Sequence, residues 1–375
     1  MAEQKRDGLN RREFLRRAAA GGIPSVFAAP AKPKAAGMKY RTLGRTGLKV
    51  SELSLGGGQI PVIQRAIDLG VNYFDTAPAY GHGAHETMLG KALKGKRDKV
   101  LIGTKWHSGS AEELTKQLEA SLTRLQTDHV DVIMLHGASE ESEITSDARW
   151  EAFTRLKQQG KVRANGLTFH PESAGVITTA IKSGRYDMML TFYSVLSALQ
   201  TGPVLHEAAK AGMGVVVMKA LQPAHEGKAN EAMMNLRGSA FQKALQWALL
   251  DRSVSTVNVG MDSFDQLEQN VAAVASPMTL AERREFERAV AQLEVGTCHL
   301  CGTCTGQCAA GVKVVDVMRC LLYHDGHRDF AKASGTYREL PVNAAACASC
   351  PGCTVSCPWQ VAVRSRLERA HAALA

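Results

Sequence analysis

Eight of the nine cysteines stand in two copies of one ladder: Cys298, Cys301, Cys304 and Cys308, then Cys347, Cys350, Cys353 and Cys357, the second copy followed by Pro358. A thiolate at every third position lets one tight loop wrap three corners of an iron–sulfur cube, and in two-cluster proteins the fourth ligand crosses to the other cube. The spacing therefore predicts two [4Fe–4S] clusters. Cys298, Cys301, Cys304 and Cys357 would hold one, and Cys347, Cys350, Cys353 and Cys308 the other. Structural zinc and disulfides are the competing uses. Zinc favours paired CxxC with a longer gap, and a disulfide framework has no reason to repeat this spacing. The ninth thiol, Cys320, lies in VVDVMRCLLY, whose apolar residues recur at helical spacing, so it is expected in a core.

Four further residues could move protons: Asp75 in NYFDTAPAYG, Tyr80 five positions on, Lys105 in LIGTK and His136 in VIMLH. A phenol near its ordinary pKa of about 10 is a poor acid–base catalyst at neutral pH. A neighbouring ammonium favours the phenolate and lowers that value. A carboxylate keeps the ammonium charged and in place, and a neutral histidine can orient a substrate carbonyl by hydrogen bonding. Singly, each residue has an ordinary use as a cap, a surface group or a strand-end cation. Their shared position at strand ends argues for a site.

Those strands are legible as eight short apolar runs: 51–57, 73–77, 100–105, 130–135, 164–169, 187–192, 214–219 and 254–260. Most are near-continuous, as strands buried on both faces should be. Helical patterns fill the gaps, and several end in glycine. Eight strand–helix units predict an α/β fold, a (β/α)8 TIM barrel over residues 38–278, whose catalytic residues belong at the C-terminal strand ends. A doubly wound sheet would want GxGxxG after its first strand, and Gly56-Gly57-Gly58 does not supply it. Residues 222–237 read as an inserted loop over the mouth, 279–296 as a linking helix, and 297–375 as the cluster module.

Residues 298–358 resemble the bacterial two-cluster ferredoxins, with Ala309 where that family usually has proline. The resemblance implies a small ferredoxin-like module of helices and loops. From Met38 to Ala275 the chain resembles the aldo-keto reductases, through MKYRTLGRTGLKVSELSLG, DTAPAYG and SLTRLQTDHVDVIMLH. That resemblance implies Tyr80 as general acid, Lys105 as its modulator, Asp75 as the partner of Lys105, and His136 as the carbonyl-positioning group. It also implies a nicotinamide site. Thr168 stands where the family places serine after the sixth strand, Tyr193 (or Phe192) where an aromatic stacks on nicotinamide, and Gln269 and Asn270 in the segment that holds the adenosine half. Gly260 and Gln266 replace the basic residues that grip a 2′-phosphate, so NAD is expected at least as much as NADP.

The net charge of +9 is concentrated at the start: residues 1–37 carry eight Lys/Arg against three Asp/Glu. Asn10-Arg11-Arg12-Glu13-Phe14-Leu15-Arg16, followed by a small-residue apolar run from Ala18 to Ala31, resembles a twin-arginine export signal. Export to the periplasm is the expectation, with a cytoplasmic protein as the alternative. The apolar run is too short to span a bilayer. No basic stripe with interleaved aromatics supports nucleic-acid binding. The expected partners are a small carbonyl or alcohol substrate and an electron-transfer protein. The principal expectation is NAD(P)-dependent carbonyl–alcohol interconversion beside two clusters. The alternative is a nicotinamide-independent oxidoreductase or electron carrier.

Overall fold

Alternation along the strands decides which residues face the barrel interior, and a hairpin decides what closes its lower end. The computed structural model describes residues 37–375 except 108, 139, 170–173, 226–238 and 294, so the leader-like segment and most of the inserted loop lie outside the described residues. The hairpin is β1 (Tyr40–Thr42) with β2 (Lys49–Ser51), paired antiparallel. There follow β3 (Leu53–Gly57), α1 (Ile60–Asp68), β4 (Tyr73–Asp75), α2 (Ala84–Ala92), β5 (Leu101–Trp106) and α3 (Ala111–Leu125). Next come β6 (Val130–Leu135), α4 (Glu141–Thr145), α5 (Asp147–Gln158), β7 (Val162–Thr168), α6 (Ala174–Ser183), β8 (Met188–Phe192) and α7 (Ala198–Lys210). The barrel region ends with β9 (Gly214–Met218), α8 (Gln222–His225), α9 (Ala240–Leu250), β10 (Thr256–Gly260), α10 (Phe264–Ala275) and α11 (Leu280–Ala291).

The strands β3 to β10 are parallel and close into a barrel, β10 pairing with both β3 and β9. All six residues of β6 are buried, the pattern of a strand covered on both faces. Outward residues such as Ile102, Ile133, Leu167 and Val217 pack beneath the helices. Inward ones, including Tyr73, Val132, Met134, Ala164, Met188, Leu190 and Val216, fill the barrel and meet Leu43, Leu48 and Val50 of the hairpin. Gly44 lets the hairpin seat. Its φ is +48°, and a Cβ there would lie 2.1 Å from the Gly214 amide nitrogen. Arg41 ties the same hairpin down, pairing with Glu52 at 2.7 Å and donating to the carbonyls of Leu249 and Val254 at 2.8 and 2.6 Å.

Helix ends follow local rules. Ser110 accepts from the Glu113 amide while Glu113 accepts from the Ser110 amide, a reciprocal cap that starts α3. The sequence reading of 279–296 as a connector becomes α11, which packs on the barrel: Phe286 and Val290 are buried in its core, and Lys243 pairs with Glu282 at 2.6 Å.

The C-terminal module comprises α12 (Val314–Leu321), α13 (Phe330–Arg338) and α14 (Val363–Leu374), with α12 running into a π-helical turn at Leu322–Gly326. Its core contains Val317, Cys320, Tyr337, Leu367 and Ala370, and takes in Phe192 at the end of β8. Met218, at the end of β9, packs against the same core. The module therefore covers the C-terminal ends of β8 and β9. No helix among the described residues is long and apolar enough to cross a membrane.

Candidate functional site

Parity along the strands brings Asp75, Lys105 and His136 to the upper end of the barrel interior. They continue the inward series Tyr73–Asp75, Gly103–Lys105 and Val132–Met134–His136. Asp75 and Lys105 are each 1% exposed. Lys105 Nζ donates to Asp75 Oδ2 at 2.7 Å and to the Thr76 carbonyl at 2.8 Å. Tyr80 comes back over this pair from the loop after β4. Gly81, His82 and Gly83 all have positive φ (60°, 52° and 86°), which folds the chain tightly between Tyr80 and α2. The Tyr80 ring centroid lies 4.7 Å from Lys105 Nζ and 6.1 Å from the His136 ring, edge to face. The four expected catalytic residues thus meet.

Burial pushes the Tyr80 phenol above its ordinary value, and the Lys105 ammonium pulls it back without overcoming burial. The sequence-based expectation of a net lowering is corrected here, although the direction of the lysine's own effect holds. For Lys105, burial disfavours the charge, and Asp75 together with Tyr80 more than offsets it, so the ammonium is held charged. His136 is pushed down to about 2 by burial, with Lys105, His107 and Arg319 adding to the effect. It is a neutral imidazole, and its buried Nδ1 has no hydrogen-bond partner among the described residues.

The residues expected to hold a nucleotide are more scattered. Thr168 faces inward, but its hydroxyl already accepts from the Gly137 amide at 2.7 Å. Tyr193 does not face the mouth. Leu190 and Phe192 point inward, so the next residue points outward. Tyr193 packs against Trp247 (5.4 Å between centroids) and bonds Asp251 at 3.2 Å. Phe192 does reach the mouth, where the C-terminal module buries it. Asn270 is buried on α10 and Gln269 is exposed, with its carbonyl accepting from Gln242 at 3.2 Å. Exposed Gln266 accepts from the Asp262 amide at 2.8 Å. Of the four expected nucleotide residues, Gln269 is thus the one open to solvent, and exposed Gln266 lies on the same helix without the cation that a 2′-phosphate would want.

Cys308, Cys347, Cys350 and Cys353 line one pocket, the grouping expected from crossed ligation. Arg364 of α14 donates to the carbonyls of Cys350 and Cys347 at 3.2 and 3.4 Å. Cys298, Cys301 and Cys304 face one another across the first loop, with Arg366 near Cys298. Cys357 is carried beside that loop: the Gly296 amide donates to the Trp359 carbonyl at 2.7 Å, and Trp359 stacks on His299 with centroids 3.9 Å apart. None of the nine cysteines forms a disulfide, and Cys320 is fully buried. Among the described residues no three His, Cys, Asp or Glu side chains converge at single-ion distance.

Other residues at the mouth escaped the sequence reading. Asn258 of β10 points inward, accepting from the Ser54 hydroxyl at 3.4 Å, and lies close enough to Asp75 to oppose the upward push that burial gives its pKa. A polar residue amid VSTVNVG was the available signal. His85 shares a 2.7 Å hydrogen bond with Thr76. From the C-terminal module, Tyr323 comes within hydrogen-bonding distance (3.1 Å) of Lys219 at the end of β9. No spacing rule in the sequence joins residues so far apart.

The Aldo/keto reductase family profile matches residues 58–290. L-galactose dehydrogenase from Arabidopsis thaliana is 32% identical over 293 residues, covering 66% of this chain and 92% of that protein. The holo form of aldo-keto reductase AKR11C1 from Bacillus halodurans is 31% identical with a TM-score of 0.59, covering 67% of this chain and 96% of that one. An aldo-keto reductase from Klebsiella pneumoniae solved in complex with NADPH shares the fold at 21% identity, with a TM-score of 0.58, covering 67% of this chain and 94% of that one.

Proposed function

The chain belongs to the aldo/keto reductase family, and from that premise we propose that it interconverts a carbonyl and an alcohol, with Tyr80 as the proton donor. One observation carries the reading: a buried, charged Lys105 held 2.7 Å from Asp75 and 4.7 Å from the Tyr80 ring, beside a neutral His136. In the reductive direction the substrate carbonyl oxygen lies against Tyr80 and His136. As that oxygen gains negative charge, the Tyr80 hydroxyl passes it a proton. The phenolate left behind is stabilised by the adjacent ammonium, a contact stronger after proton loss than before. His136, being neutral, orients the oxygen without adding a charge that would compete with Tyr80. Asp75 keeps Lys105 charged and fixed.

Nicotinamide, NAD or NADP, would supply the hydride; exposed Gln269 and Gln266 on α10 are suited to its adenosine half, whereas Thr168 and Tyr193 are engaged within the barrel wall. The cysteines fit two [4Fe–4S] clusters, which pass single electrons. Cys308, Cys347, Cys350 and Cys353 would hold one, and Cys298, Cys301, Cys304 and Cys357 the other. Arg364 and Arg366 on α14 offset the negative charge of thiolate-bound clusters. The twin-arginine-like leader suits a protein exported to the periplasm already folded around its clusters.

A second reading, nicotinamide-independent electron exchange with a protein partner, is favoured by the burial of Phe192 under the module. Anaerobically purified protein separates the two. Under the first reading NADH or NADPH supports carbonyl reduction, and Tyr80→Phe lowers kcat by about 10²–10⁴ while the visible absorbance of the clusters persists. Unchanged turnover in Tyr80→Phe removes Tyr80 as the acid. Cluster reduction by a protein donor with no response to NAD(P)H selects the second reading.

A further inference from the structure

Lys219 follows β9 on the catalytic rim and holds a left-handed backbone, φ 60°. A residue with a Cβ is strained in such a conformation, and strain of this kind concentrates at functional sites. Its Nζ donates to the Tyr323 hydroxyl at 3.1 Å and lies 4.5 Å from the centroid of that ring. Lys332 Nζ, from α13, lies 4.5 Å from the same centroid. Tyr323 itself is 7% exposed and rides the π-helical turn, a helix irregularity that recurs at functional sites. Two ammonium groups therefore converge on one phenol at the barrel mouth.

The carboxylates of the neighbouring segments are engaged elsewhere. Asp316 pairs with Arg319 at 2.6 Å, Asp329 caps α13 by accepting from the Lys332 amide at 3.0 Å, and Asp325 pairs with Arg369. Asp75 is taken by Lys105. Among the described residues no carboxylate pairs with Lys219 or Lys332. Lys219 is half-buried and Lys332 is exposed, and two cations converging on one phenol with no carboxylate between them favour an anion beside them. The tetrad is close by, since Tyr323 opposes ionisation of Tyr80, Arg319 opposes protonation of His136, and Lys332 does the same to His85. Tyr323 accepts from Lys219, which leaves its hydroxyl hydrogen free to donate; burial pushes its phenol up, and Lys219, Lys332 and Arg319 pull it down to about 8.

We propose that Lys219, Lys332 and the Tyr323 hydroxyl form an anion subsite at the barrel mouth, which receives the carboxylate of a substrate whose carbonyl or alcohol is handled by Tyr80. The substrate class is then an oxo acid or hydroxy acid. Placing the reacting group at Tyr80 rests on the function proposed above; the anion subsite itself does not. The module thus supplies part of the specificity pocket, because Tyr323 and Lys332 belong to it and Lys219 to the barrel.

The test compares 4-formylbenzoate with its methyl ester, which differ by one charge, on the full-length protein carrying its clusters. Wild type should favour the acid in kcat/KM. Lys219→Met and Lys332→Met should each shrink the acid-over-ester ratio by about tenfold, the change that ~1.4 kcal/mol of lost binding produces. Lys210→Met, on α7 away from Tyr323, should keep the ratio. Equal handling of acid and ester by wild type, or a ratio untouched by both variants, overturns the proposal. So does a matching loss of NADH binding in the variants, which would assign the cations to the cofactor. If neither aldehyde is turned over, the function above fails, and calorimetry of 4-formylbenzoate decides the subsite alone. Binding that weakens in both variants upholds it, and binding that is absent or insensitive to them overturns it.

Discussion

Lys105→Met removes a charge from a place where its partner cannot find water. Asp75 is 1% exposed, and its carboxylate stands 2.7 Å from the ammonium that would be lost. Deleting one member of such a pair costs about 3–5 kcal/mol, because the survivor stays buried and uncompensated. Thermal midpoints of domains approaching this size move by roughly 2–4 °C per kcal/mol, so a fall of at least about 6 °C is expected. The pH dependence identifies the cause. Burial already raises the Asp75 pKa above its ordinary value with Lys105 present, and removing Lys105 raises it further. The folded variant then binds more protons than the unfolded chain above about pH 4. Its stability therefore declines as pH rises until the raised folded pKa is passed. The deficit relative to wild type should be larger at pH 8 than at pH 5. Adding Asp75→Asn should recover most of it. The assay is thermal unfolding followed by far-ultraviolet circular dichroism for wild type, both singles and the double. A Lys105→Met deficit that is the same at pH 5 and pH 8, or a double variant no better than the single, would refute the argument from the buried pair.

His136→Gln should lessen acid sensitivity. The folded histidine titrates at about 2 whereas an unfolded one titrates near 6.5, so wild type loses stability as pH falls below 6.5, by up to about 2 kcal/mol at pH 5. Comparing the two proteins' unfolding at pH 8 and pH 5 measures it. Under the proposed cluster assignment, Cys308→Ser should lower the iron and sulfide content by the share of one cluster, while Cys320→Ser should leave it unchanged; iron and sulfide analysis of anaerobic protein distinguishes them. Gly44→Ala should destabilise the barrel by about 3 kcal/mol or more, since its Cβ would meet the Gly214 backbone at 2.1 Å in a left-handed conformation, and a denaturant melt reads the loss.

Strand identity was legible because a strand buried on both faces is written as an unbroken apolar run, and 130–135 is β6 to the residue. The tetrad was legible for a related reason: a barrel places its chemistry at strand ends, so Asp75, Lys105 and His136 could be listed without coordinates. Tyr193 shows where the reading failed. In MLTFY the inward series passes through Leu190 and Phe192, and the alternation that defines a strand sends Tyr193 to the outer layer against Trp247. The sign of the Tyr80 shift was missed because residue type reveals a cation nearby but not the depth of burial. Tyr323 and Lys219 were out of reach, since their meeting depends on how the module seats on the rim, over a separation of 104 residues.

The hairpin at the base has a consequence for traffic. With Leu43, Leu48 and Val50 plugging the lower end like a stopper in a flask, ligands must come and go by the rim. The terminal helices stand over part of that rim, at the ends of β8 and β9. Release of a spent ligand past them should then be slow, and a graft of the barrel alone onto another chain would exchange its ligands faster than the native molecule does.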